Sequence, residues 1–139
     1  MNYLLDTNVV SELRKSPSRI DARVAAWAES LELERQFLSA ITVFEVELGI
    51  RQLERRDTAQ AAVLWRWFDR AVLDAFEGRI LPVDRDVARL ASRLHVPDPR
   101  PERDAFIAAT ALGRGLTVAT RNVVDFVATN AAVFDPWER

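Results

Sequence analysis

Apolar and polar positions along this chain switch repeatedly between two periods. Tyr3-Leu4-Leu5 is a short apolar run closed by Asp6-Thr7-Asn8, which predicts a strand ending at a polar turn. Val9 to Lys15 reads as a helix. Ile20, Val24, Trp27 and Leu31 recur at steps of three and four, which predicts a helix over Ile20 to Leu31 with Trp27 in its apolar stripe. Gln36 to Ala40 predicts a second strand. Val43, Val46, Ile50 and Leu53 share one face of a helix from Thr42 to Arg55, and Thr58 to Phe76 predicts a longer helix. Ile80-Leu81-Pro82-Val83 is a third strand. Val87, Leu90, Ala91 and Leu94 mark another helix, and Asp104 to Leu112 a helix of small residues. Leu116 to Ala119 predicts a fourth strand and Ala131 to Phe134 a fifth, at the sheet edge. Pro97-Asp98-Pro99-Arg100-Pro101 breaks any helix and predicts a loop.

Alternating strands and helices favour an α/β domain with a central, mostly parallel sheet of four to five strands, covered by helices on both faces. Sheets of this kind place ligands beyond the carboxyl ends of their strands. Residues just after strands are therefore the first to question.

Composition narrows the chemistry. The 139 residues suit a single domain over 1–139, and 49% apolar with 29% charged residues gives a globular balance. No apolar run is long enough for a membrane span and no leader pattern is present, so a cytoplasmic location is expected. With no cysteine, disulfides, thiolate catalysis and zinc ribbons are excluded. The single histidine, His95, ends a helix and is assigned no catalytic role. Nineteen basic against 21 acidic residues give a net charge of −2, so no direct DNA binding is expected from this chain alone.

The carboxylates each have an ordinary explanation. Asp6 suits a helix N-cap, a task Asn8 or Ser11 can share. Thr42 and Glu45 have capping-box spacing. Asp104 stands where its helix opens, Asn122 suits the cap of a short helix, and Asp125 falls in that helix's first turn. Glu47 lies about 200° round the helix from Glu45 and pairs with Arg51 at i+4.

Together the acids suggest more. Acidic or amide groups fall after strand one, beside strand two, at a late helix start and after strand four, and a parallel sheet brings such positions to one edge. Four desolvated carboxylates repel one another. A hard divalent ion with oxygen ligands, Mg²⁺ or Mn²⁺, relieves that repulsion. Such a centre can hydrolyse phosphodiesters without a histidine base.

Four segments carry a resemblance. Leu4-Leu5-Asp6-Thr7-Asn8, Leu38-Ser39-Ala40-Ile41-Thr42-Val43-Phe44-Glu45, Arg103-Asp104-Ala105-Phe106-Ile107-Ala108-Ala109-Thr110-Ala111 and Val118-Ala119-Thr120-Arg121-Asn122-Val123-Val124-Asp125-Phe126 resemble the PIN-domain nucleases. Among these they are most similar to the VapC toxins of VapBC toxin–antitoxin pairs, in the FitB-like branch, which also has a terminal segment like Val133-Phe134-Asp135-Pro136-Trp137. The resemblance spans essentially the whole chain. It implies a three-layer α/β/α fold, a Mg²⁺- or Mn²⁺-dependent ribonuclease acting on RNA, a homodimer, and a VapB-like antitoxin that blocks the active site in a higher assembly.

Carried over by position, the acidic quartet of metal ligands and catalytic groups falls on Asp6, Glu45, Asp104 and Asp125. Asn122 matches a polar position that some members fill with Asp, which leaves open whether Asn122 or Asp125 stands nearer the expected metal. Thr7, Asn8, Ser39 and Thr120 would hold the carboxylates, or serve turns and caps. Arg14 and Arg121 would contact RNA phosphates, or pair with neighbouring acids. Trp65 and Trp67 lie two apart and cannot share a helix face, so one is expected in the core and the other at a partner surface.

Rival readings fare less well. A receiver-type phosphoacceptor needs a lysine after a late strand, and the only lysine is Lys15. A dehalogenase-type phosphatase needs Asp-x-Asp, which Asp6-Thr7-Asn8 breaks. A non-catalytic module whose acidic pocket receives a partner's arginine uses the same residues as the nuclease, and stays open.

Overall fold

The computed structural model describes residues 1–138. In chain order its elements are β1 (Tyr3–Leu5), α1 (Thr7–Leu13), α2 (Ala22–Ser30), β2 (Gln36–Ser39), α3 (Ala40–Glu54), α4 (Thr58–Trp67), β3 (Ile80–Leu81), α5 (Arg85–Leu94), α6 (Glu102–Arg114), β4 (Thr117–Ala119), α7 (Val123–Val127) and β5 (Val133–Phe134). The five strands form one sheet in the order β3-β2-β1-β4-β5, parallel throughout. Helices cover both faces, giving the expected three-layer α/β/α architecture.

Strand side chains sort by parity. Leu5, Leu38 and Ala119 join a core with Val9, Val24, Trp27, Val46, Ile50, Ala61 and Phe68, contributed by α1 to α4 and the helical stretch that follows α4. Leu4, Leu81 and Val118 point the other way, onto Ile107, Ala108 and Ala111 of α6 and Phe126 of α7. Alternation of this kind is the period-two signature of a strand buried on both faces. Ala105, Ala108, Ala109 and Ala111 have no exposed surface, so α6 lies tight against the sheet and α5. A larger side chain at Ala109 would overpack that seam at a cost of about 1–3 kcal/mol. Gly115, with φ +66°, ends α6 in the left-handed conformation and lets β4 start two residues later.

The structure corrects several boundaries. The first helix runs from Thr7 to Leu13, two residues earlier than the apolar spacing suggested, because Asp6 caps it. The helix expected over Thr58 to Phe76 is α-helical only to Trp67 and continues as a π-helical stretch from Phe68 to Asp74. The third strand is only Ile80–Leu81, since Pro82 has no N–H for the ladder. Trp27 is buried as expected. Trp65 and Trp67 do not divide between core and surface: both are half-buried and pack on the same core. Among the described residues no helix is long and apolar enough to cross a membrane.

Candidate active site

The strand order reverses about β1. The chain moves outward from β1 through β2 to β3, then returns to place β4 on the other side of β1. The crevice beyond the carboxyl ends of β1 and β4 is the topological switch point, where open α/β sheets bind ligands. Asp6 follows β1 and Thr120 follows β4. The Asp6 N–H donates to the Ala119 carbonyl at 2.9 Å, extending the β1–β4 ladder by one residue and fixing the Asp6 backbone.

Asp6 is 5% exposed and richly bonded. Its Oδ1 accepts the Thr7 N–H at 2.8 Å, and its Oδ2 accepts the Thr120 hydroxyl at 2.7 Å and the Asn8 amide at 3.4 Å. Thr120 Oγ1 in turn accepts the Asn122 N–H at 3.0 Å and the Asn8 amide at 3.3 Å. Asn8 Oδ1 accepts the Arg121 N–H at 3.2 Å, closing the network. Burial raises the Asp6 pKa above its ordinary value. The bonds from Thr120 and Thr7 pull it back, and the charges of Glu45 and Asp125 push it up again.

Glu45 reaches the crevice from α3. Its Oε1 accepts the Thr7 hydroxyl at 2.7 Å, and its Oε2 lies 3.5 Å from Arg103 Nη1. It forms no capping box. Ser39 caps α3, accepting the Ile41 N–H at 3.0 Å, so the helix begins at Ala40 and Thr42 lies inside it. With the cap already provided, Glu45 is free to turn inward. Thr42 is fully buried, and its hydroxyl has no hydrogen-bond partner among the described residues.

Asp104 is not the cap of its helix either. Pro101 occupies the cap position and α6 starts at Glu102, which places Asp104 in the first turn. It is half-buried and accepts no hydrogen bond among the described residues. Its pKa is pushed up to about 6, first by burial and then by the charges of Asp6, Asp125 and Glu45. Asp125 stands exposed in the first turn of α7. Asn122 occupies the α7 cap position, but its side chain bonds no backbone there. Among the described residues, no three acidic side chains close round one point tightly enough to hold an ion as they stand.

Asp6, Glu45, Asp104 and Asn122 line one cleft of about 480 Å³, whereas Asp125 stands off its wall and reaches Asp6 and Asp104 through its charge. Arg14 and Arg121 stand on its wall, and neither has an acidic partner among the described residues. The Arg121 guanidinium lies 5.2 Å above the ring of Trp137. Ser39 is buried outside the cleft and serves as a cap.

Sequence reasoning missed Glu12, Lys15, Trp137 and Arg103. The i, i+3 spacing of Glu12 and Lys15 was a visible signal. Trp137 lies in the terminal segment that carried part of the resemblance, but only the folded chain brings it beneath Arg121. Arg103 adjoins Asp104 in sequence, but its stacking 4.9 Å over Phe44 depends on α3 and α6 meeting.

Comparison with known proteins agrees with this fold. The PIN domain family model matches residues 3–129, and the chain belongs to that family. It is 43% identical to Toxin FitB of Neisseria gonorrhoeae, over 96% of this chain and 97% of that one. It is 36% identical to a VapC ribonuclease of Sinorhizobium fredii, with 97% of each covered. The crystal structure of FitAcB from Neisseria gonorrhoeae superimposes with a TM-score of 0.90 at 41% identity, covering 99% of each chain.

Proposed function

We propose that this chain is a divalent-metal-dependent endoribonuclease, the toxin of a toxin–antitoxin pair. The observation that carries this reading is the meeting of Asp6, Glu45 and Asp104 in one cleft at the switch point, within reach of the charge of Asp125, with Asp104 held near a pKa of 6 by burial and its acidic neighbours. The relatives named a VapC ribonuclease and Toxin FitB support it.

The residues fit a hard cation. The donors are all oxygens, and Asp104 lacks any donor of its own. Mg²⁺ is commonly held by one or two carboxylates and keeps several waters, so the set need not close three acids round a point. Asp6 and Asp104 would hold the ion, Mg²⁺ or Mn²⁺, with Glu45 and Asp125 completing the site. When bound, the ion supplies an activated water and offsets charge on the phosphate. Thr7 fixes Glu45, while Thr120 and Asn8 fix Asp6, so these carboxylates are aimed before substrate arrives. Arg14 and Arg121 would seat RNA phosphates. Water would attack phosphorus in line, forming the new P–O bond as the bond to O3′ breaks, and would leave 5′-phosphate and 3′-hydroxyl ends.

The partner would be a VapB-like antitoxin covering the cleft, with the toxin paired as a homodimer. One observation favours a second reading, in which the pocket only receives a partner's arginine: Arg103 already presents a guanidinium to Glu45. Cleavage of total cellular RNA with Mg²⁺, with Mn²⁺ and with EDTA separates the two. Discrete metal-dependent fragments from wild type, absent with Asp6→Asn, are expected. Ends carrying 2′,3′-cyclic phosphate would overturn the mechanism, and no cleavage by a folded protein would favour the arginine-receiving module.

A further inference from the structure

Glu12 is a buried carboxylate that the proposed chemistry does not use. It is 6% exposed, yet it lines the cleft from the last turns of α1. One of its oxygens accepts the Asp21 N–H at 2.8 Å, at the cap of α2. The other accepts Lys15 Nζ, also at 2.8 Å. A buried carboxylate needs its charge balanced, and the Lys15 bond is the first cause that holds its pKa below the ordinary value.

The consequence falls on Lys15, the only lysine in the chain. Its ammonium carries three N–H donors, of which Glu12 takes one. The side chain remains 39% exposed and lines the same cleft as Asp6 and Asp104. A long flexible cation is thereby tethered at the cleft wall with donors to spare. A compact ammonium binds phosphate as a point charge.

We propose that Lys15 is a phosphate subsite for the RNA backbone on the α1 wall of the cleft, and that Glu12 is its positioning residue. The proposal rests on the ribonuclease reading. It deepens that reading by placing a cation beyond the acidic centre, where a nucleotide flanking the scissile bond passes.

The test is steady-state cleavage, with Mg²⁺, of a labelled oligoribonucleotide spanning a site mapped in total RNA, across a range of salt. For Lys15→Gln, KM should rise several-fold with kcat unchanged. The slope of log(kcat/KM) against log salt should become shallower by about 0.7, the loss of one phosphate contact to a single strand. Lys15→Arg should restore both. Glu12→Gln should raise KM in the same direction by less. The double variant Glu12→Gln, Lys15→Gln leaves no unbalanced buried charge and should reproduce the slope of Lys15→Gln. An unchanged salt slope in Lys15→Gln and in the double variant, with wild type cleaving normally, overturns the subsite. A fall in kcat at constant KM overturns it too. Failure of wild type to cleave any RNA overturns the ribonuclease reading and the subsite with it.

Discussion

The two sides of the acidic crevice are built differently. On the β1–β4 side, Asp6 is largely buried at the cleft floor and held by Thr7, Thr120 and Asn8, with its backbone pinned to Ala119. On the helical side, Asp104 is half-buried with no donor and Asp125 is exposed, each carried on the first turn of a helix. One side is a fixed anchor. The other holds carboxylates that repel each other and lack compensation. A site of this kind stores its electrostatic cost where a cation would relieve it, and keeps its geometry where none is needed.

The contrast can be broken at either side. Asp6→Asn and Asp104→Asn remove groups expected to hold the ion. Each should lower RNA cleavage by more than the roughly 10–100-fold typical of residues that only support a ligand. Fragment yield per time with Mg²⁺ reads this out. Thr120→Val leaves Asp6 in place but unsupported, so its cleavage should fall within that roughly 10–100-fold range. It should also lower the melting temperature, because a buried carboxylate loses a donor worth about 1–3 kcal/mol. If Thr120→Val matched wild type, the anchor would not be an anchor.

The helical side makes a prediction about pH. The pKa of Asp104 is raised in the folded chain, to about 6 from the model-compound 3.8. The folded state therefore binds a proton more tightly than the unfolded state. The stabilisation this gives is complete below the unfolded value and is lost as pH rises through about 6. Without divalent ions, melting temperature should carry a downward component between pH 5 and 7 that Asp104→Asn lacks. Adding Mg²⁺ or Mn²⁺ should offset that loss at pH 7 and do little at pH 5, where Asp104 is largely protonated. Differential scanning fluorimetry reads both. The smallest effect belongs far from the crevice. Glu47→Ala breaks the exposed Glu47–Arg51 pair, 2.9 Å apart, and should change stability by less than about 0.5 kcal/mol.

The same division governs what the sequence made legible. Asp6 was readable because a strand, a polar stop and a cap coincide within a few residues. The parallel sheet and its crevice followed from the alternation of short apolar runs with helical stripes. Glu45 and Asp104 were misplaced locally even though both belong to the cluster. Capping rules see three-residue spacing, whereas Ser39 and Pro101 had already taken the cap positions. The choice between Asn122 and Asp125 depends on how α7 seats on the sheet, which no local pattern encodes. In the structure Asn122 lines the cleft, while Asp125 acts on Asp6 and Asp104 only through its charge. Trp137 and Arg103 enter through contacts between distant elements. The π-helical stretch after α4 was invisible for a similar reason, since its backbone departs from the period that its apolar residues follow.

The bond between Thr120 and Asp6 joins residues 114 positions apart. Ribosomes make the carboxylate early and its hydroxyl partner near the end of translation. A nascent chain holding β1 to β3 has an acid exposed at a sheet edge, with neither β4 to pair beside it nor Asp104 and Asp125 to complete the cluster. The crevice therefore matures only as the last quarter of the polypeptide folds onto the first strand. For a chain whose proposed target is RNA, that timing separates the act of being synthesised from the ability to cut.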